Sequence, residues 1–127
     1  MILRRGTGLI VMLAVALLLG ATPADDVRLL DAARRGDVTA VRSALSDGAN
    51  PNAAEGDGLT ALHIAAKQGN SQIVRILIDA RANVEAKTRL GEYTPLHLAA
   101  EGAHASVVRV LFEAGADVRA ITTYTGV

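Results

Sequence analysis

The sequence contains no cysteine and no tryptophan, and Tyr93, Phe112 and Tyr124 are its only tyrosine and phenylalanine residues. Without cysteine the chain forms no disulfide and offers no thiol nucleophile. The Gly-x-Ser-x-Gly turn of serine hydrolases and the Gly-Lys-Ser/Thr ending of phosphate loops are also absent. Aromatic residues often anchor interfaces between proteins, and this chain has few of them. We therefore expect any partner contact to be modest. The sequence predicts a protein that is not an enzyme and needs no cofactor.

Clustered positive charge is missing as well. The chain has 13 basic and 13 acidic residues, which gives a formal net charge of zero. Nucleic acids and anionic membranes are bound by clusters of basic residues. We therefore expect neither of them as a partner.

The only long apolar run covers residues 9–19, and these eleven residues are too few for a membrane-spanning helix, which needs about 20. Arg4 and Arg5 precede the run and small residues ending in Ala24 follow it, as in a secretory signal peptide. We predict that residues 1–24 are a cleaved signal and that residues 25–127 form the folded domain. The protein is then exported, either to the periplasm or out of the cell. An uncleaved membrane anchor and a cytosolic protein are the alternatives.

Three similar phrases recur along the rest of the chain: SDGANPNA, DARANVEA and EAGADVRA. They place Asn50, Asn83 and Asp117 at intervals of 33 and 34 residues, and a pair of alanines recurs in the same frame. A period of this size indicates stacked structural repeats. The units cover about residues 25–53, 54–87 and 88–120, and the extra residue of the longer interval falls between Asn83 and Thr94.

Each unit is predicted to contain two short helices. In the third unit Thr94 is a suitable N-cap, Pro95 suits the first helical position, and a second helix is expected over roughly residues 105–113. Gly115 is expected to end that helix in the left-handed conformation. Helices this short are marginal alone, so packing against the next unit has to stabilise them.

The second and third units read DGLTALHIAAKQGNSQIVRILIDARANVEA and GEYTPLHLAAEGAHASVVRVLFEAGADVRA, and both resemble ankyrin repeats. The first unit resembles them from Leu29 onward but lacks the Thr-Pro-Leu-His start. The resemblance implies an all-α solenoid of about three helix-turn-helix units joined by β-turn or hairpin loops. It also implies a protein-binding scaffold, and the leading signal makes the layout similar to that of bacterial periplasmic ankyrin proteins.

Two positions depart from the family pattern. Arg81 stands where the family has the glycine of a left-handed turn, and Ala103 replaces another such glycine while Gly102 lies one place early. A residue other than glycine in this conformation costs on the order of 1 kcal/mol. We therefore expect the second and third units to be less stable than idealised repeats.

His63 and His97 follow Thr60 and Thr94 at the same place in successive units. The resemblance implies that both are structural, with rings that hydrogen-bond around the helix start and tie adjacent loops together. A metal site needs two or three ligands within about 2 Å of one ion, whereas these histidines lie about one repeat apart. His104 is expected to be an ordinary helix-start residue. We predict no metal ligand and no catalytic histidine.

A protein partner, whose identity the sequence does not give, is expected on the concave face, which loop tips and exposed ends of the first helices form in repeat arrays. Tyr93 is the best single candidate, although its ring could instead lie flat on the neighbouring loop. The full set of predicted partner-binding residues is Arg34, Arg35, Asp57, Leu59, Lys67, Gln68, Arg89, Leu90, Glu92, Tyr93 and Glu101. Two alternatives stay open: a membrane-tethered or secreted host-directed protein of the same class, and an exported protein that binds a small ligand or a metal ion.

The last helix of the third unit, VVRVLF, is as apolar as IVRILI of the second, although no complete unit follows it. Residues 121–127 resemble the start of a fourth repeat. A terminal repeat normally needs a polar outer face. We therefore expect either a truncated sequence or a third unit that docks on a partner or on a second copy of the chain.

Overall fold

The structure, a computed structural model, describes residues 22–119 and contains three consecutive pairs of helices. The helices are α1 (Pro23–Arg35), α2 (Val38–Ser46), α3 (Ala61–Gln68), α4 (Ser71–Asp79), α5 (Pro95–Glu101) and α6 (Ala105–Glu113). The first helices α1, α3 and α5 form one layer, and the second helices α2, α4 and α6 form the other. Within the described residues, the β-type pairing is a single antiparallel bridge between Ala54 and Thr60. The predicted all-α solenoid is confirmed.

The first helices of the second and third units begin with the same cap. Thr60 and Thr94 precede α3 and α5 in extended conformation, and each threonine side chain accepts the backbone N–H of the histidine three residues later. Pro95 occupies the first turn of α5, where a missing N–H costs nothing. The predicted cap and proline position are confirmed, and α6 has the bounds that the sequence predicted.

Small side chains let the first helices approach one another closely. Ala32, Ala33, Ala65 and Ala66 are fully buried, and neighbouring first helices approach more closely than neighbouring second helices do. One fully buried large residue recurs beside them in every unit: Leu29, Leu62 and Leu96. The layer of first helices is therefore the more closely packed of the two.

Left-handed turns follow the helices where the repeat pattern requires glycine. Arg81 has φ 73° and Ala103 has φ 56°, at the places that Gly48 and Gly36 occupy with φ 101° and 66° in the first unit. Gly102 has an ordinary right-handed φ of −79°. The two predicted departures therefore do place residues with a Cβ in the conformation that favours glycine.

Two loops connect the units, and we call them the first finger (residues 54–60) and the second finger (residues 87–94). The N–H of Glu55 donates to the carbonyl of Leu59 in the first finger, and the N–H of Thr88 donates to the carbonyl of Tyr93 in the second, both at 3.0 Å. The second connection is one residue longer. The extra residue of the repeat therefore lies within the second finger, where Glu92 has φ 50°.

A ladder of hydrogen bonds links the phrases that revealed the repeat. The side chain of Asn50 accepts the N–H of Asn52 at 2.9 Å, and that of Asn83 accepts the N–H of Glu85 at 3.0 Å. Asn52 Oδ1 in turn accepts the N–H of Asn83 at 2.6 Å, and Glu85 Oε1 accepts the N–H of Asp117 at 2.7 Å. Each unit thus fixes the register of the next.

Two apolar positions of α6 in the third unit are more exposed to solvent than the equivalent positions of α4 in the second unit. Val74 is fully buried and Ile78 half-buried, whereas Val108 is half-buried and Phe112 is 58% exposed. Val108, Phe112 and Val118 line an apolar hollow there. Self-association through this unit stays a prediction, which sedimentation velocity of the full chain would test.

Both ends of the sequence contain predictions that the structure does not describe. The apolar run of residues 9–19 and the proposed start of a fourth repeat at residues 121–127 lie outside the described residues. Helix α1 begins at Pro23, two residues before the predicted mature N-terminus. Among residues 22–119, no helix has the length and apolar character needed to cross a membrane.

Candidate protein-binding groove

A groove runs between the two fingers and the layer of first helices. Its cavity has a volume of about 390 Å³. Eleven residues from all three units line it: Arg34, Asp57, Leu59, His63, Ile64, Lys67, Gln68, Thr88, Leu90, Tyr93 and Leu98. Side chains from both fingers and from the first helices α1, α3 and α5 therefore meet at a single surface.

The floor of the groove is apolar. Ile64 and Leu98 occupy the same place in α3 and α5, and Leu59 lies beside them on the first finger. Ile64 is 6% exposed, while Leu59 and Leu98 are half-buried. The corresponding place in α1 is taken by Asp31, whose side chain is exposed. The apolar part of the groove is thus confined to the second and third units.

Tyr93 contributes to the groove and to the packing of its own finger. Its ring stands edge-on to the ring of His97, with centroids 6.0 Å apart and planes at 88°. The ring also covers Gly91, where any added Cβ would collide with it. Tyr93 is therefore a half-buried wall residue, while the neighbouring Leu90 is 84% exposed at the rim.

Charged groups line the two rims with opposite signs. Arg34 and Lys67 lie on the rim formed by the ends of α1 and α3, and Asp57 lies on the finger rim. Arg34 forms an ion pair with Glu55. Within residues 22–119 the ammonium group of Lys67 makes no ion pair. The helix-end rim therefore carries one cation whose charge is not neutralised by a neighbour.

His63 lies fully buried between the groove and the start of α3. Its Nδ1 accepts the backbone N–H of Thr60 at 3.1 Å, so the ring proton lies on Nε2, which donates to the carbonyl of Tyr93 at 2.8 Å. Burial lowers the pKa of His63 below its ordinary value, although the hydrogen bond to the Tyr93 carbonyl acts in the opposite direction. His63 thus ties the second finger to the preceding helix, which supports the structural role.

The other two histidines also make local contacts. Nδ1 of His97 accepts the N–H of Thr94 at 2.9 Å, as in the preceding unit. His104 occupies the N-cap position of α6 but makes no side-chain cap; its Nε2 instead lies 2.9 Å from the carbonyl of Lys67. His104 therefore links two units and is more than a helix-start residue. Among residues 22–119, no three His, Asp or Glu side chains are grouped to hold a metal ion.

Seven of the predicted partner-binding residues line the groove: Arg34, Asp57, Leu59, Lys67, Gln68, Leu90 and Tyr93. Four others do not line it: Arg35, Arg89, Glu92 and Glu101. Arg35 pairs with Asp31 at 3.0 Å, and the carboxylate of Glu92 lies 3.9 Å from Lys87. The backbone N–H of Arg89 donates to the carbonyl of Asp57, which ties the fingers together.

Sequence reasoning missed four lining residues: His63, Ile64, Thr88 and Leu98. Ile64 and Leu98 have the character of core residues because both are apolar and lie within a helix. The first unit nevertheless indicated that this position is exposed, because the charged Asp31 occupies the place that Ile64 and Leu98 have in the later units. A charged residue at one copy of a position indicates that the position faces outward.

Comparisons with known proteins concern the repeats. A family model described as ankyrin repeats in three copies matches residues 29–122. Serine/threonine-protein kinase 12 of Arabidopsis thaliana is 38% identical over 65 residues, which are 51% of this chain and 14% of the kinase. Potassium channel KOR1 of Oryza sativa subsp. japonica is 44% identical over 63 residues, 50% of this chain and 7% of the channel. Putative ankyrin repeat protein FPV223 of Fowlpox virus (strain NVSL) is 38% identical over 50 residues, which are 39% of this chain and 36% of that protein. The chain spans only a small part of the kinase and of the channel.

Proposed function

The chain belongs to the ankyrin-repeat family, whose members generally serve as protein-binding scaffolds without enzymatic activity, and we propose that it is an exported scaffold that holds a protein partner in the groove. The observation that carries the proposal is the open apolar floor of Leu59, Ile64 and Leu98 beneath the exposed Leu90. An apolar concave surface with a few polar groups at its rim is typical of binding sites. The chemistry of a cofactor or of a nucleophile has no part in this function.

The position of the partner is supported by the contrast between the groove and the outer face, which we define as the exposed side of α2, α4 and α6. Arg42, Arg75 and Arg109 occupy the same place on that face in the three units and are all exposed. A solvated arginine repeated in this way needs no partner. The groove, in contrast, combines apolar side chains of the second and third units with a charged rim, whereas the strongly exposed Phe112 on α6 belongs to the third unit alone.

Site-specific photocrosslinking tests this proposal. Leu90→p-benzoylphenylalanine and Lys67→p-benzoylphenylalanine place the crosslinker in the groove, and Arg75→p-benzoylphenylalanine places it on the outer face as the matched control. Irradiation of cells producing the full chain is expected to give a higher-mass adduct from positions 90 and 67 and none from position 75. Adducts from position 75 alone would contradict the proposal.

Export is supported by the basic residues, short apolar run and small residues of the N-terminal segment. Cleavage after Ala24 would leave Asp25 and Asp26 in the first turn of α1, where carboxylates favour the helix. N-terminal sequencing of the protein recovered from the producing cells is expected to start at Asp25. Recovery of Met1 in the membrane fraction would support the membrane-tethered alternative instead.

A further inference from the structure

We propose that the groove binds a linear segment of the partner, in which one large apolar side chain enters the floor and a neighbouring carboxylate pairs with Lys67. This inference rests on the proposed function and adds the chemistry of the segment that is bound. Three features of the groove carry it: the size of its floor, the opposite charges of its rims and the change of charge along the array.

The size of the floor limits what can enter. The cavity of about 390 Å³ lies near the lower end of the about 300–1,000 Å³ typical of pockets for small molecules. It therefore accepts only a few side chains of a partner, a number that a linear segment can supply. The side chains of Leu59, Ile64 and Leu98 are all apolar. A leucine, methionine or phenylalanine side chain is therefore the natural occupant of the floor.

The rims set the orientation of the segment. On the helix-end rim the guanidinium of Arg34 is already paired with Glu55, whereas the ammonium of Lys67 has no ion pair within the described residues. The opposite rim carries the carboxylate of Asp57, which would repel an acidic ligand group. A carboxylate of the partner is therefore favoured beside Lys67 and disfavoured at the first finger.

The charge also changes along the array. Arg34, Lys67 and Glu101 occupy the same place at the ends of α1, α3 and α5. The third unit thus presents an acidic residue where the first two present basic ones. A bound carboxylate is accordingly favoured toward the first two units, while the apolar side chain enters where Ile64 and Leu98 line the floor. The two preferences together fix the direction of the segment.

Peptide selection tests this inference. A displayed library of random peptides is selected on the immobilised full chain, and enriched sequences are expected to carry a large apolar residue with an aspartate or glutamate one to three positions away. Binding of a selected synthetic peptide is then measured. Lys67→Glu is expected to weaken it about tenfold, because an attraction becomes a repulsion. Arg75→Glu, the same change of charge on the outer face, is expected to leave the affinity within about twofold.

A charge-exchanged peptide provides the reciprocal test. When the acidic residue of the selected peptide is replaced by lysine, binding to the Lys67→Glu variant is expected to exceed binding to the unaltered chain. Enriched peptides without acidic residues, or an affinity that does not change in Lys67→Glu, would overturn the inference. So would a selection that yields no binding peptide. Crosslinking from positions 90 and 67 would still support the scaffold in these cases, so the two failures are distinguishable.

Discussion

The outer face carries arginine at one equivalent place in every unit, whereas two equivalent places on the groove face carry a different residue in each unit. Arg42, Arg75 and Arg109 repeat on the outer face. On the groove face the corresponding sets are Asp31, Ile64 and Leu98 along the first helices, and Arg34, Lys67 and Glu101 at their ends. Positions that repeat satisfy a requirement common to all units, such as solvation. Positions that differ are free to suit one particular partner.

The same comparison separates stability from binding. The second and third units both have a buried leucine followed by a buried histidine, Leu62 with His63 and Leu96 with His97. These repeated buried residues contribute to the packing of their helix pairs. Leu90 is 84% exposed at the rim, in the part of the second finger that contains the extra residue. We expect substitutions at repeated buried positions to change the free energy of unfolding, and substitutions at unlike exposed positions to change binding.

The largest effect is expected for the repeated histidines. His63→Ala leaves the N–H of Thr60 and the carbonyl of Tyr93 without their partner, and should lower the free energy of unfolding by about 1–3 kcal/mol. His97→Ala should also be destabilising. Urea denaturation measures both, with Arg75→Ala as the control expected within about 0.5 kcal/mol of the unaltered chain. If His63→Ala were no less stable than Arg75→Ala, the structural role of the histidine would be wrong.

A smaller change, this time an increase in the free energy of unfolding, is expected when glycine is introduced at the two left-handed positions that lack it. Ala103→Gly and Arg81→Gly each remove the strain of a Cβ at positive φ, and each should raise the free energy of unfolding by about 0.5–1 kcal/mol after the added chain entropy is counted. Gly115→Ala is the matched control. Gly115 has φ 94° with no atom within 4 Å of an added Cβ, so the change should destabilise through backbone strain alone. A loss of stability in Ala103→Gly would contradict this account.

The smallest effect is expected from pH. Because the pKa of His63 is lowered in the folded chain, the unfolded chain binds the additional proton below the ordinary histidine pKa of 6.5. Stability from the neutral ring is therefore present above about pH 6.5 and decreases as the pH falls below it. Thermal denaturation between about pH 5 and pH 7.5 measures this slope. The slope should be shallower in His63→Asn, and an unchanged slope would assign the pH dependence to other groups.

Much of the fold follows from local sequence signals. Thr94, Pro95 and Gly115 determine where helices begin and end, and such caps depend on residues close together in the chain. The position of the extra residue also follows from local spacing, because Thr60 comes 10 positions after Asn50 and Thr94 comes 11 positions after Asn83. Contacts between units depend on how the units stack, and these were harder to predict.

The groove shows this limit. The link between His104 and the carbonyl of Lys67 joins residues 37 positions apart, and no local pattern indicates it. Arg89 lies near the tip of the second finger, yet its backbone binds the first finger and its side chain does not line the groove. Ile64 is apolar like its buried neighbours, so its contribution to the floor depends on helix orientation.

Binding of the partner purified through the crosslink tests the central claim most directly. Isothermal titration calorimetry would compare the unaltered chain with Leu90→Ser and Arg75→Ser, two substitutions at exposed positions that should leave the melting temperature nearly unchanged. If the groove is the binding site, Leu90→Ser weakens binding about tenfold and Arg75→Ser leaves it within about twofold. Full affinity in Leu90→Ser together with a loss in Arg75→Ser would place the partner on the outer face and contradict the account.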